Sequence, residues 1–119
     1  MPLRLVASML PLSLILPGTG LVYGQAFPYK PVRIATGAAG GGSDFDARQI
    51  SQAISGRLGQ PVIVDNRANG LIAGEIVSKA APDGYTLLLT GASHWITPLL
   101  QKVPYDVVTD FSPISMIDS

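Results

Sequence analysis

Gly40-Gly41-Gly42-Ser43-Asp44 is the stretch best equipped for chemistry in this 119-residue chain. Three successive residues without Cβ, then a hydroxyl and an acid, stand where a helical pattern begins. Unpaired backbone N–H groups and the positive end of a helix macrodipole converge there, which suits an anion such as a carboxylate. The glycines would let it come close to the backbone, but they serve a plain tight turn equally well, and both readings stand. Ser43 has two roles open to it, helix N-cap or outward hydrogen-bond donor, and one hydroxyl can fill both. Asp44 would repel a carboxylate, so favouring the helix N-terminus is its stronger role. A second polar group, Ser93, His94 and Thr97, lies further on, with Asn69 between the two. His94, the one histidine, either bonds a ligand or satisfies a local carbonyl, the commoner fate of a lone histidine.

Other chemistries are excluded by what surrounds these residues. Ser43 and Ser93 each follow Gly-x, yet Phe45 and Trp95 occupy the closing glycine position of a nucleophile elbow. No Gly-Lys-Ser/Thr follows the glycines, so a P-loop fails. A dinucleotide fold would place Asp65 usefully after the turn, but Phe45 replaces its third glycine, and an exported protein would meet little free nicotinamide cofactor. With no cysteine and scattered carboxylates, thiol chemistry, disulfides and a locally spaced metal site drop out. Lys plus Arg equal Asp plus Glu at 8 each, which leaves no basic surface for a phosphate backbone, and we expect no nucleic-acid partner. We expect no catalysis, cofactor or metal.

The elements that must hold these residues alternate between strand and helix. Val32 to Thr36 is β-prone and closed by Gly37. From Asp44 to Leu58, Ala47, Ile50, Ile54 and Leu58 fall on one helical face, with Ser43 and Asp46 spaced for a capping box and Gly59 as the stop. Val62 to Val64 is a short strand ending at the turn residues Asp65-Asn66-Arg67, and Ile72, Ile76, Val77 and Ala80 have helical spacing up to Pro82. Asp83-Gly84 turns into Tyr85 to Thr90, whose unbroken Leu87-Leu88-Leu89 centre predicts a strand covered on both faces. Thr97 and Pro98 suit the cap and first position of a brief helix through Leu100, and Ile114 to Ile117 reads as a last strand. The expected fold is α/β, an open and mostly parallel sheet with flanking helices. Its ligand site then lies at the carboxyl ends of the strands, in the loops Gly37 to Ser43, Asn66 to Leu71 and Gly91 to Thr97.

Residues 1–26 read as a secretory signal peptide. Arg4 precedes an apolar run from Leu5 to Leu16, followed by Pro17, Gly18 and Gly20, with cleavage expected after Ala26 and Gly24 as the rival. The run is shorter than the roughly 20 residues a spanning helix needs. The mature chain would start at Phe27.

Strings along that mature chain carry a resemblance. Tyr29-Lys30-Pro31-Val32-Arg33-Ile34, Gly40-Gly41-Gly42-Ser43-Asp44 and Gly59-Gln60-Pro61-Val62-Ile63-Val64-Asp65-Asn66-Arg67 are followed by Ala80-Ala81-Pro82-Asp83-Gly84-Tyr85-Thr86-Leu87-Leu88. With Tyr105-Asp106 and Asp110-Phe111-Ser112-Pro113, the order resembles the Bug-type, or tripartite tricarboxylate transporter, substrate-binding proteins. The resemblance implies a periplasmic receptor of two α/β lobes, type II-like, closing on a small organic acid and delivering it to a membrane permease. Residues 27–119 would then be part of the N-terminal lobe, without the second lobe and the return segment, and not competent alone. It also marks Gly41, Gly42, Ser43, Asp44, Asn69, Ser93, His94 and Thr97 as ligand-side positions, with Thr97 in place of a more usual Asn. Two departures stand out: Arg67-Ala68-Asn69-Gly70 is about two residues shorter than the family's glycine-rich stretch, and Ala73-Gly74 inverts its usual Gly-Ala.

Overall fold

The computed structural model describes Gly24 and residues 26–117. The expected signal segment lies almost wholly outside these residues. Six elements follow in order: β1 (Val32–Thr36), α1 (Gly42–Leu58), β2 (Val62–Asn66), α2 (Gly70–Ser78), β3 (Thr86–Leu88) and α3 (Ser93–Leu100). The strands form one parallel sheet in the order β2-β1-β3, with Ile34 opposite Val64 on one side and Leu87 on the other. Stepping from β1 outward to β2, then back across β1 to β3, puts α1 and α2 on opposite faces when both crossovers are right-handed.

The strand alternation agrees with that arrangement. Val32 and Ile34 point into the main core with Ala47 of α1, Val62 and Tyr85, and Ile50, Ile54, Leu58, Val64, Leu87 and Leu89 pack around them. Ala35 turns to the other face, where α2 lies across β1 and β3, and Ala35 and Ala73 are both fully buried. Burying each aliphatic side chain of such a core contributes about 1.5–3 kcal/mol. The helical face expected of α1 is thus the one it presents to the sheet. Gly59 ends that helix in the left-handed region at φ 68°, its N–H returning to the Ser55 carbonyl. Ser55 also accepts the Val62 N–H on its hydroxyl at 3.1 Å, so the end of α1 fixes the start of β2.

The segment before β1 is held from the side by aromatic packing. Tyr85 accepts the Tyr29 N–H at 2.9 Å, its ring lies 5.0 Å from Phe27, and the Lys30 ammonium sits 4.5 Å above its centroid. Gly84, at φ 82°, leaves room for the Phe27 ring, which a Cβ there would approach to 3.2 Å.

Several expectations need correction. Asp65 lies inside β2, where it accepts Arg67 at 2.7 Å, and the strand runs on to Asn66 because β1 supplies register partners that far. Strand β3 spans only three residues and is half-buried, since it is an edge paired with β1 alone among the described residues. Helix α3 begins at Ser93, with Thr97 and Pro98 in its interior. Ala92 and Gly91 already supply carbonyls to its first turn, so no cap at Thr97 is required. Ile114 to Ile117 pairs with no strand and is mostly exposed. It borders a groove of about 340 Å³ that Ile34, Ile50, Ile54 and Leu87 to Leu89 line from below.

Candidate functional site

The three loops at the carboxyl ends of the strands do meet. A Cβ built on Gly37 would lie 3.7 Å from the Gly70 nitrogen, and one built on Gly70 would lie 3.4 Å from Thr90 Oγ1 and 3.6 Å from Ser93 Oγ. The amino ends of α1, α2 and α3 all arise from these loops.

At the first loop the capping differs from expectation. The N-cap of α1 is Gly41, with no side-chain bond, and helix residues begin at Gly42, so Ser43 is no cap and the Ser43–Asp46 box does not form. Asp44 takes over. Its Oδ2 accepts the Gly40 N–H at 2.8 Å, while Oδ1 accepts Asn66 Nδ2 at 2.8 Å and Arg48 Nε at 3.0 Å. An acid at the third helical position reaching back over the turn answers the exposed N–H groups and the macrodipole together. The Gly40 amide, then Asn66 and Arg48, hold the buried Asp44 carboxyl at about 2, well below its ordinary 3.8. Asn66 Nδ2 also reaches the Gly37 carbonyl at 3.1 Å, tying the ends of β1, β2 and α1 into one unit.

That geometry sorts the glycines. Gly40 sits at φ 84°, where only glycine rests without strain. Gly41 spends its N–H on the Ala38 carbonyl at 3.2 Å. Gly42 has nothing within 4 Å of a would-be Cβ, so there is open space beside the first turn of α1. The Gly42 and Ser43 N–H groups are among the amides a helix start leaves without intrahelical partners.

At the second loop Asn69 caps α2, its Oδ1 accepting the Ile72 N–H at 3.0 Å, which leaves its amide NH₂ outward. At the third, His94 is buried at 6% exposure, with Nδ1 unbonded among the described residues. Its ring stacks on Tyr105 at 5.4 Å and 15° and meets the edges of Phe111 at 4.8 Å and Trp95 at 5.4 Å. Burial pushes the His94 pKa down and the Tyr105 pKa up. Neither the role of Tyr105 nor that of Phe111 was visible in sequence, because both come from an irregular stretch that reaches α3 only through the fold.

A cleft of about 1160 Å³ runs from the start of α1 past β3 to α3, with Ser43, Asp46, Thr90, His94, Trp95 and Asp110 among its walls, while Gly41, Gly42, Asn69 and Ser93 stand outside them. Of the expected residues it joins Ser43 to His94. Gly41 and Gly42 adjoin Ser43 in the chain, and Ser93 and Asn69 flank Gly70. Thr97 is a half-buried residue in the middle of α3, outside the cleft walls. The cleft offers donors for an anion, and no group of three or more histidine, cysteine or acidic residues among the described residues is placed to hold a metal ion.

A model of the tripartite tricarboxylate transporter family receptor matches residues 46–119. The chain belongs to that family. It is 46% identical over 99 residues to a UPF0065 protein of Bordetella bronchiseptica, covering 78% of this chain and 29% of the relative. It is also 37% identical over 102 residues to protein BugT of Bordetella pertussis, covering 81% of this chain and 31% of that protein. This chain therefore spans less than a third of the length of these relatives. Among solved structures, one described as a periplasmic transporter superposes with a TM-score of 0.61 at 35% identity, over 70% of this chain and 30% of that one. Rpa4515 of R. palustris, solved with adipate, gives 0.50 at 34% identity over 52% of this chain and 22% of its own. The family is one of solute receptors rather than enzymes, and the parallel sheet with flanking helices is the architecture of its periplasmic binding proteins.

The loop after Arg67 reaches α2 within a few residues, because Arg67 donates its N–H to the Thr36 carbonyl at 2.9 Å and Asn69 caps at once. Ala73 needs no positive φ, and Gly74 has a purpose: a Cβ there would lie 3.0 Å from the Tyr105 ring. Gly74 is thus tied to the seat of Tyr105.

Proposed function

We propose that this chain supplies the anion-binding side of a periplasmic receptor that captures a small organic acid and passes it to the membrane permease of a tripartite transporter. The observation that carries this reading is the start of α1, where Gly42 has open space at its Cα and the Gly42 and Ser43 N–H groups belong to the first turn, which leaves them without intrahelical partners. Asp44 does not oppose the guest there, because Arg48, Asn66 and the Gly40 amide already engage its carboxylate. The Ser43 hydroxyl, the Ser93 hydroxyl, the Asn69 NH₂ and the His94 ring are the side-chain donors around that seat, and Thr97 acts at most through α3. Adipate in the R. palustris neighbour is a guest of the chemistry envisaged. Export with removal of residues 1–26 fits such a role.

The test is calorimetry on the full-length receptor against di- and tricarboxylates, nicotinate and acidic amino acids, comparing the natural protein with Gly42→Val. The branched side chain fits the open space at Gly42 but screens both amides, so the fold should persist and affinity should fall at least ten-fold. An unchanged affinity in a folded variant would remove the proposed seat.

A further inference from the structure

His94 is the one histidine of the chain, buried at 6% exposure, and the packing around its Nδ1 favours the neutral ring. It is the second residue of α3, where the helix dipole opposes a positive charge. Tyr105 covers one face, Phe111 and Trp95 meet the ring edge to face, and Nδ1 finds no partner among the described residues. Tyr105 in turn rests on α2 at Gly74 and meets Phe111 at 5.6 Å. The stretch from Tyr105 to Phe111, which belongs to no helix or strand, is therefore anchored to α3 through this imidazole and to α2 through the Tyr105 ring that the imidazole backs.

We propose that His94 is an acid-sensitive latch: its protonation frees the strap formed by residues 105–111 from α2 and α3. No acid stands ready to accept the new charge. Glu75 on α2 is paired with Lys79 at 2.7 Å. On the strap, Asp106 accepts the Val108 and Thr109 amides at 2.8 and 2.9 Å, and Asp110 accepts the Asp106 amide at 2.7 Å. Tyr105, its hydroxyl pKa raised by burial, stays neutral, Asp46 of α1 lies across the cleft, and Lys102 beyond the end of α3 is a cation. Nδ1 is the buried, unbonded nitrogen, and a proton placed there is better hydrated when the ring leaves the cluster. Burial holds the latched pKa below 6.5, so the released state binds the proton first. The released fraction then rises by up to about ten-fold per pH unit below 6.5 until the latched ring itself titrates. Because Val107 and Asp110 to Pro113 wall the cleft, release would also weaken ligand binding, a consequence that rests on the receptor reading. The latch itself does not.

Amide hydrogen exchange on the ligand-free full-length protein, corrected for the intrinsic pH dependence of exchange, tests it directly. Protection of the Asp106, Val108, Thr109 and Asp110 amides should fall from pH 6.5 to 5.5 by up to about five-fold, while the β1 amides stay constant. His94→Phe, which keeps a flat buried ring that cannot titrate, should abolish the change. Should that variant fail to fold, the NMR titration of the one histidine ring serves instead: its midpoint must lie below 6.5 and its course must follow the loss of strap protection. Strap protection that is constant across this range, or that falls equally in His94→Phe, would overturn the proposal whether or not any carboxylate binds.

Discussion

Asn66 Nδ2 stands 2.8 Å from Asp44 Oδ1 and thereby fastens the end of β2 to the first turn of α1. With the Gly40 amide and Arg48 on the same carboxylate, the contact is between a charged acceptor and three donors, the kind that strengthens as charge is retained. Its loss on acidification can be followed.

The Asp44 carboxyl titrates at about 2 in the folded chain and near 3.8 when unfolded. Below 3.8 the unfolded state takes up the proton first, so the stabilisation present at neutral pH declines as pH falls from about 4 to 2. Urea melts of the natural protein should show this acid decline, and Asp44→Asn should be destabilised at pH 7 yet show a flatter profile below pH 4. Parallel profiles for the two proteins would contradict the assignment.

Gly40 and Gly42 are neighbours with opposite tolerance. Alanine at Gly40 must enter the left-handed region at φ 84° and should cost about 1–2 kcal/mol. Alanine at Gly42, in open space on a helical backbone, should leave stability unchanged or raise it by about 0.4–1 kcal/mol. Chemical denaturation of both variants distinguishes the positions, and equal losses would refute the distinction.

Gly74→Ala drives a methyl into the Tyr105 ring and should destabilise by about 1–3 kcal/mol. The cost should shrink when Tyr105 is first replaced by leucine, because the atoms that crowd the methyl are the ring's own. A double-mutant cycle with no coupling between the two sites would show that Gly74 is not there to seat the Tyr105 ring.

Processing is expected next to the aromatic anchor. Mass spectrometry of the protein recovered from an exporting host should find Phe27 as the first residue, two residues ahead of the Tyr29 amide that Tyr85 holds. Recovery of intact Met1 would count against export.

The central helix and the sheet could be read in the sequence because they follow periodicities that the fold obeys: Ala47, Ile50, Ile54 and Leu58 face the core as their spacing required. Local capping was harder to read. Ser43 and Asp44 are both good helix starters, and the choice between them fell to Asn66, a strand residue whose side chain arrives only after β2 pairs. Thr97-Pro98 looks like a helix start by composition, yet α3 opens earlier, on backbone carbonyls at Gly91 and Ala92 that carry no side-chain signature. Ile114 to Ile117 has the composition of a strand, but pairing is a property of a neighbour, and the sequence does not show whether one is present. The environment of His94 was hidden for the same reason, since Tyr105 and Phe111 come to it from outside any periodic element.

The strand order has a consequence for how this unit comes into being. The central strand β1 is the first of the described strands, and its pairing of Arg33 with Thr86 waits until α1, β2 and α2 have been threaded. Such non-local closure is slow compared with forming either helix. Until it occurs, the loop after β1 and the loop after β3 have no fixed separation, so the cleft between Ser43 and His94 has no partly folded precursor. Capacity for a ligand should therefore appear in one late step, together with the last strand, and a ligand present during refolding should slow unfolding without hastening folding.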